Sequence, residues 1–460
     1  MPGSFRDPSG HVYRVEDQIF RTVTQRFADQ FEAVDSTGLI DELADRGLVL
    51  PAERVSAAIL GPTMEDVKYV LQVPMLPFVS FPYEWSFSAL KAAALLHLKI
   101  NLAALDRRVT LSDASAYNVQ FRGAQPVFID HLSFRPYQNG EIWIGHRQFC
   151  EQFLNPLLLR ALFGVSHNAW YRGTQEGIPS GDLVRILKLR HHFTWNVLKH
   201  VVIQSLFQRA AQNSHFELEK DKLSASVLPL SSFRRMLLKL HRWISTLEPA
   251  DSGKTVWEDY AKSHSYSLEE ACQKRQFVVD FASQVKPKLL WDLGCNTGEY
   301  SQAALEAGAR YVVGFESDQG ALEACFGRAH QQDLPIQALF MDMANPTPNQ
   351  GWREQERQGM QSRASADGVL ALAFVHHLAI ARNIPFDQVL DSIIDLAPRG
   401  VIEFVPKSDP MVQKLLRLRA DIFPDYTREF FLARIARKAE AVRTATVSSS
   451  GRLLVWYERR

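Results

Sequence analysis

A doubly wound α/β sheet is predicted for the C-terminal part of this chain, on three observations. At 291–301 the chain reads Trp-Asp-Leu-Gly-Cys-Asn-Thr-Gly-Glu-Tyr-Ser: an apolar strand ends on Asp292, a turn runs from Gly294 to Gly298, and a helix starts near Glu299. Downstream, apolar strand-like runs alternate with helical stretches, the pattern of a parallel sheet covered by helices on both faces. Acids and histidines stand at the ends of those runs, where such sheets bind ligands outside the strand C-termini at the switch point.

The elements follow in order. The first strand is 289–291 and ends on Asp292. Glycine lets the main chain approach a ligand without a Cβ, and a helix N-terminus presents free N–H groups. Asp292 adds a carboxylate, which suits a ligand carrying positive charge. The spacing Asp-x-Gly-x-x-x-Gly departs from the G-x-G-x-x-G of dinucleotide folds, and no G-x-x-x-x-G-K-[ST] phosphate loop occurs. The second strand, 310–315, leads to Glu316 and Asp318. The third, 338–342, ends on Asp342, and the fourth, 368–375, ends on His376 and His377. The fifth is 400–406, and 452–457 reads as a last, antiparallel strand. Ahead of the first strand a helix runs to about Phe281, with Ser267 and Glu270 at capping-box spacing.

The turn at 292–298 closely resembles motif I of the class I S-adenosylmethionine (SAM)-dependent methyltransferases, and the resemblance extends through the later strands. It implies a Rossmann-like sheet with an antiparallel last strand and SAM as cofactor. Cofactor-binding positions would be Asp292, Gly294, Cys295, Asn296 and Gly298 in the turn, Glu316 on the ribose hydroxyls, and Asp342 near the adenine amino group. Tyr260, Tyr266 and Lys274 would line a lid over the pocket. His376 or His377 would act as general base, with Glu403 a further candidate. Such a base would titrate near the ordinary value of about 6.5, and turnover would rise with pH through it. Residues 421–426 with Phe430 and Phe431 would form an acceptor wall. Plainer readings stand beside these. Asp292 would be a turn acid, Asp318 would replace Glu316, and Asp342 would be a solvated loop acid. The histidines and the lid residues would simply pack.

The upstream part carries a second pattern. A long apolar helix at about 86–105 is followed by Asp113, by Asn118 five positions on, and by a short hairpin leading to Asp130. This resembles the catalytic loop of protein kinases and aminoglycoside-type phosphotransferases. It implies an α+β, kinase-like domain in which Asp113 faces an acceptor hydroxyl while Asn118 and Asp130 hold Mg²⁺ as metal ligands. The departures are specific. Leu111 replaces the usual His or Tyr, Asp130 leads into His131 rather than Gly, and no Gly-rich loop is visible. The first lysine of the chain is Lys68, so only Arg21 stands near the phosphate-gripping position, and arginine does not substitute for lysine there. The expectation is a kinase-like fold that has lost phosphoryl transfer. A coincidence of two turns is the other reading.

The whole is framed by length and charge. A chain of 460 residues suggests two or three domains. Pro, Gly, Ser and Asp cluster near 247–255, which divides an accessory domain at 1–247 (helical and C-lobe-like over 131–247), a linker at 248–255 and a methyltransferase domain at 256–460. A formal net charge of +1 excludes a broad electrostatic signal for nucleic acid or anionic membrane. Four scattered cysteines without a C-x-x-C pair argue against a zinc or disulfide framework and fit a cytoplasmic protein. The N-terminus lacks a signal-peptide core, and no apolar run reads as a membrane span. The expected function is methyl transfer to an oxygen or nitrogen acceptor, with the N-terminal domain holding the acceptor or a protein partner. The two-part architecture also resembles nodulation-related, methyltransferase-like bacterial proteins, which implies a small-molecule or glycan acceptor. Alternatives are a non-catalytic SAM-binding regulator with a pseudokinase-like domain, and an atypical phosphotransferase fused to a methyltransferase.

Overall fold

The computed structural model describes residues 2–61, 66–206, 228–251, 268–417 and 420–460. The chain divides into two compact units, 1–121 with 125–252, and 253–460 with 122–124.

The first unit opens with a four-stranded antiparallel sheet of β1 (Val12–Val15), β2 (Gln18–Thr24), β3 (Glu53–Val55) and β4 (Val67–Val73), in the order β1-β2-β4-β3. The helices Ala28–Asp35 and Leu39–Asp45 lie between β2 and β3 in the chain. The long helix Phe87–Asp106 starts at Ser86, whose hydroxyl accepts the Ala89 N–H at 3.1 Å, the N-cap bond that replaces a missing helical partner. By length and composition this helix is apolar enough to cross a bilayer, with mean hydropathy 1.3, which the sequence reading had not anticipated. It is nevertheless a core helix. Leu90, Ala93, Ala94, His97, Leu98 and Asn101 are buried, on more than one face. The amphipathic helix Leu230–Ser245 packs on it, burying Phe233, Leu237, Leu240 and Ile244 at helical spacing. Beyond the core helix come β5 (Val109–Leu111), β6 (Val119–Arg122), β7 (Gln125–Phe128) and β8 (Phe134–Pro136).

The second unit is built on a seven-stranded sheet. Its strands are β9 (Leu290–Leu293), β10 (Val312–Glu316), β11 (Ile336–Phe340), β12 (Gly368–Ala371), β13 (Arg399–Phe404), β14 (Ala439–Thr446) and β15 (Leu453–Arg459), ordered β11-β10-β9-β12-β13-β15-β14. The first five are parallel, and β15 runs antiparallel to β13. This is the predicted doubly wound, Rossmann-like α/β sheet, with the order reversing between β9 and β12. Strands β9 and β12 are buried along their whole length, so their apolar residues follow one another rather than alternate, with Asp292 the one acid within β9. The helix Phe386–Leu396 buries Phe386, Val389, Leu390, Ile393 and Ile394, a single apolar stripe.

Three details differ from the sequence expectation. Strand β14 was not foreseen: its residues are mostly exposed, and it pairs only with β15 at the edge. The fourth strand stops at Ala371, so His376 and His377 begin a π-turn (His377–Ala381) instead of ending a strand. Tyr426, expected in the acceptor wall, is a core residue. It is buried against Phe386 and Phe404, and its hydroxyl donates to the Val405 carbonyl at 2.9 Å.

Candidate functional site

The turn after β9 is folded back on β10. Gly294 N–H and Cys295 N–H both donate to the Phe315 carbonyl, at 2.8 and 3.1 Å. Gly294 has φ +74° and Gly298 φ +80°, the left-handed region that glycine reaches without strain. A Cβ on Gly298 would stand 2.7 Å from Cys325 Sγ, and one on Gly294 would press Phe374 at 3.0 Å. Gly298 is the N-cap of the helix Glu299–Glu306. The Cys295 side chain is buried, its Sγ 3.9 Å from Cys325 Sγ, so of this candidate only the main chain borders the turn. Asn296 is held at φ +50°, and its Oδ1 accepts the Thr297 N–H at 2.7 Å.

Asp292 is buried at the end of β9 and accepts the Ser301 hydroxyl at 2.6 Å. Burial pushes its carboxyl up to about 6, against the opposing pull of Ser301 and the Lys274 charge. Glu316 ends β10. Its Oε2 accepts the Asn296 N–H at 3.0 Å, and its Oε1 accepts Ser317 and Asp318 N–H at 2.7 and 2.8 Å. Burial raises its pKa and those backbone donors oppose the rise. Its neighbour Asp318 is committed elsewhere: Oδ1 caps the helix Gln319–Gln331 through Gly320 and Ala321 N–H, each at 2.9 Å. Asp342 lies two residues past β11, paired with Arg382 at 2.9 Å and accepting Ala344 N–H at 2.9 Å.

His376 and His377 stack at 4.1 Å between ring centroids. His376 is fully buried and, among the described residues, has no hydrogen-bond partner on either ring nitrogen, and burial drives its pKa well below the ordinary histidine value. Burial, followed by the Arg452 charge, lowers His377 to about 4. Burial therefore favours the neutral form of both rings.

Lys274 is not an open lid side chain. It is buried with its Nζ 2.8 Å from Glu403 Oε2 and 4.7 Å above the Tyr300 ring centre. Glu403 Oε2 also accepts the Ala373 N–H at 2.8 Å. Arg452 approaches Glu403 at 3.5 Å and clamps Asp409 with two N–H groups at 2.7 and 3.0 Å. Tyr260, Tyr266 and Ser267 lie outside the described residues. Ser301, Tyr300 and Arg452 were missed by the sequence reading. Only Arg452 left a signal there, as a lone charge heading an apolar strand.

In the first unit the three predicted side chains converge. Asn118 Nδ2 donates to Asp113 at 3.1 and 3.2 Å and to Asp130 at 3.1 Å. Ser133, unforeseen, donates to Asp113 at 3.1 Å and also to Asp130. Arg21 on β2 pairs with Asp130 at 2.8 Å and with Asp7. Burial, then the Asp130 charge, raises Asp113 to about 6.

Over 459 residues the chain is 44% identical to nodulation protein NoeA of Rhizobium meliloti (strain 1021), spanning 100% of this chain and 96% of that protein. Among solved structures it is similar to SAM-bound magnesium protoporphyrin IX methyltransferase (ChlM) from Synechocystis PCC 6803, at 18% identity over 42% of this chain and 80% of that one, with a TM-score of 0.29. It is also similar to the N-methyltransferase NodS from Bradyrhizobium japonicum WM9, at 8% identity over 42% of this chain and 98% of that one, with a TM-score of 0.31. No family model matches the chain.

Proposed function

The chain belongs to the family of the nodulation protein NoeA, and we propose that it is a SAM-dependent methyltransferase acting on an oxygen or nitrogen of a small molecule or glycan. The observation that carries this reading is the cluster at the switch point. Two glycines at positive φ bare the main chain, and the Asp292 and Glu316 carboxylates stand at adjacent strand ends. These groups fit SAM, whose amino group suits Asp292 and whose ribose hydroxyls suit Glu316. The main chain of Cys295 and Asn296 and the Asp342 carboxylate complete the binding set. When bound, SAM supplies an electrophilic methyl group for in-line displacement by the acceptor. His377 is the residue proposed to take the acceptor's proton on a ring nitrogen, since burial keeps that ring neutral.

The test is calorimetry with SAM, followed by a labelled-SAM screen of cell extract fractionated into glycans, small molecules, protein and RNA. No SAM binding by the folded chain, or full affinity in Gly294→Val, defeats the proposal. Binding without transfer to any fraction favours the regulatory alternative.

Two pH dependences follow. A base must be unprotonated to act, so a group at about 4 gives a rate that rises through pH 4 and is level from about pH 6 to 8. A limb near 6.5 that disappears in His377→Gln contradicts this placement of the base's pKa. Asp292 sets the second. Its folded pKa lies above the unfolded value, so between about pH 4 and 6 the folded state binds more protons. Stability then falls as pH rises through that window, on the order of 2 kcal/mol, levelling off above the folded pKa. Denaturant titrations at pH 4 and 7 should show this component missing in Asp292→Asn.

For the first unit we propose a kinase-like binding module without phosphoryl transfer. Support comes from the antiparallel sheet with helices between its second and third strands in the chain, and from the Asp113–Asn118–Asp130 cluster beyond the core helix. Arg21 supplies positive charge at Asp130. Asn118 turns its amide N–H groups, not its oxygen, to both carboxylates.

A further inference from the structure

The first unit holds a cluster of soft and imidazole ligands that neither proposed activity uses. His146 Nε2 stands 2.9 Å from His200 Nδ1, and Cys150 Sγ lies 3.6 Å from the same His146 nitrogen. All three ligand atoms lie within 4.8 Å of one another. A tetrahedral zinc ion, with Zn–N about 2.0–2.1 Å and Zn–S about 2.3 Å, sets its ligand atoms roughly 3.3–3.6 Å apart. The Cys150–His146 separation already matches, and the two imidazoles need to part by a few tenths of an ångström.

Local backbone places the ligands. Cys150 opens a π-turn, Cys150–Leu154, and His200 sits in another, Leu198–Val202. Among the described residues there are three π-turns, and these two each contribute a ligand. Such turns are rare and concentrate at functional sites, because the extra residue re-aims side chains that an α-helix would point elsewhere. His146 precedes Cys150 by one helical turn, so both project from one face. Gln204 Oε1 lies 3.2 Å from His146 Nδ1, which assigns the proton to Nδ1 and leaves the Nε2 lone pair aimed at His200 and Cys150. Trp243 stacks on the His200 ring at 6.2 Å, fixing its plane.

We propose that His146, Cys150 and His200 form a site for a borderline divalent metal ion of the zinc class, the fourth position being taken by water. Binding breaks the Cys150 S–H bond and forms a metal–sulfur bond, the proton leaving to solvent. The His200 proton moves from Nδ1 to Nε2, so both imidazoles stay neutral and one proton is released per metal.

The test uses the full-length chain, stripped with chelator, kept reduced, and titrated with Co²⁺. The expected result is a near-ultraviolet thiolate-to-cobalt band with visible ligand-field bands, saturating at one equivalent and bleached by Zn²⁺. The band should persist in Cys272→Ser, which removes an exposed thiol, and in Cys325→Ser, and vanish in Cys150→Ser. His200→Gln spares the thiol and should weaken cobalt binding by at least about tenfold. That variant decides the matter if Cys150→Ser does not fold. Absence of the band in folded wild type overturns the proposal. So does its loss in Cys272→Ser, or unchanged affinity in His200→Gln.

Discussion

Glu403→Ala should lower the unfolding free energy by about 3–5 kcal/mol, the range for removing one partner of a buried ion pair. Glu403 is fully buried and serves three groups at once: the Lys274 ammonium, the Ala373 N–H and the Arg452 guanidinium. Alanine removes the carboxylate closest to the buried Lys274 ammonium in a low-dielectric interior, while Arg452 keeps its clamp on Asp409. Ala373 is held at φ +50°, beside Phe374, which packs against Gly294. The same change should therefore loosen the candidate SAM site. Denaturant unfolding monitored by tryptophan fluorescence measures the loss. A second variant, Glu403→Leu with Lys274→Met, should recover part of it, because an apolar pair of similar volume avoids the desolvation cost. A loss below about 1 kcal/mol in Glu403→Ala would show that the network relaxes around the missing carboxylate.

Glu316→Ala should weaken SAM binding by about 1.5–3 kcal/mol, roughly 10- to 150-fold, as expected for charge-assisted hydrogen bonds to a carboxylate. The side chain acts twice in this reading, on the ribose hydroxyls and through Oε2 on Asn296 N–H, which holds the turn. Glu316→Gln keeps an acceptor oxygen and should lose less. Asp318 offers no substitute because its Oδ1 already caps the following helix. Calorimetry on the three proteins checks the order wild type, Gln, Ala. Equal affinities would remove Glu316 from the site.

The doubly wound sheet was legible because its central strands are buried on both faces. Such strands must be apolar throughout, and glycine or an acid marks their ends. The turn at 294–298 was legible for the same local reason, since its left-handed angles fall on Gly294, Asn296 and Gly298, the residue types that reach them cheaply. Strand β14 was not legible. Its mixed, mostly exposed residues carry no apolar period, and it exists because β15 offers an edge to pair with. Lys274 read as a lid residue from its place before the first strand, yet its charge is drawn inward by Glu403 from a distant strand. The histidine pair announced proton chemistry, but burial and Arg452 decided its protonation. In the first unit the spacing of Asp113, Asn118 and Asp130 brought the loop to notice, whereas Arg21 and Ser133 entered only through folding. Cys150 stood as one of four scattered cysteines until the fold set His146 and His200 beside it. By itself the sequence determined backbone conformation and apolar patterning, because both depend on neighbours within a few residues. Tertiary structure decided charge states and ligand sets, because desolvation and Coulomb interactions depend on which distant side chains share a low-dielectric space.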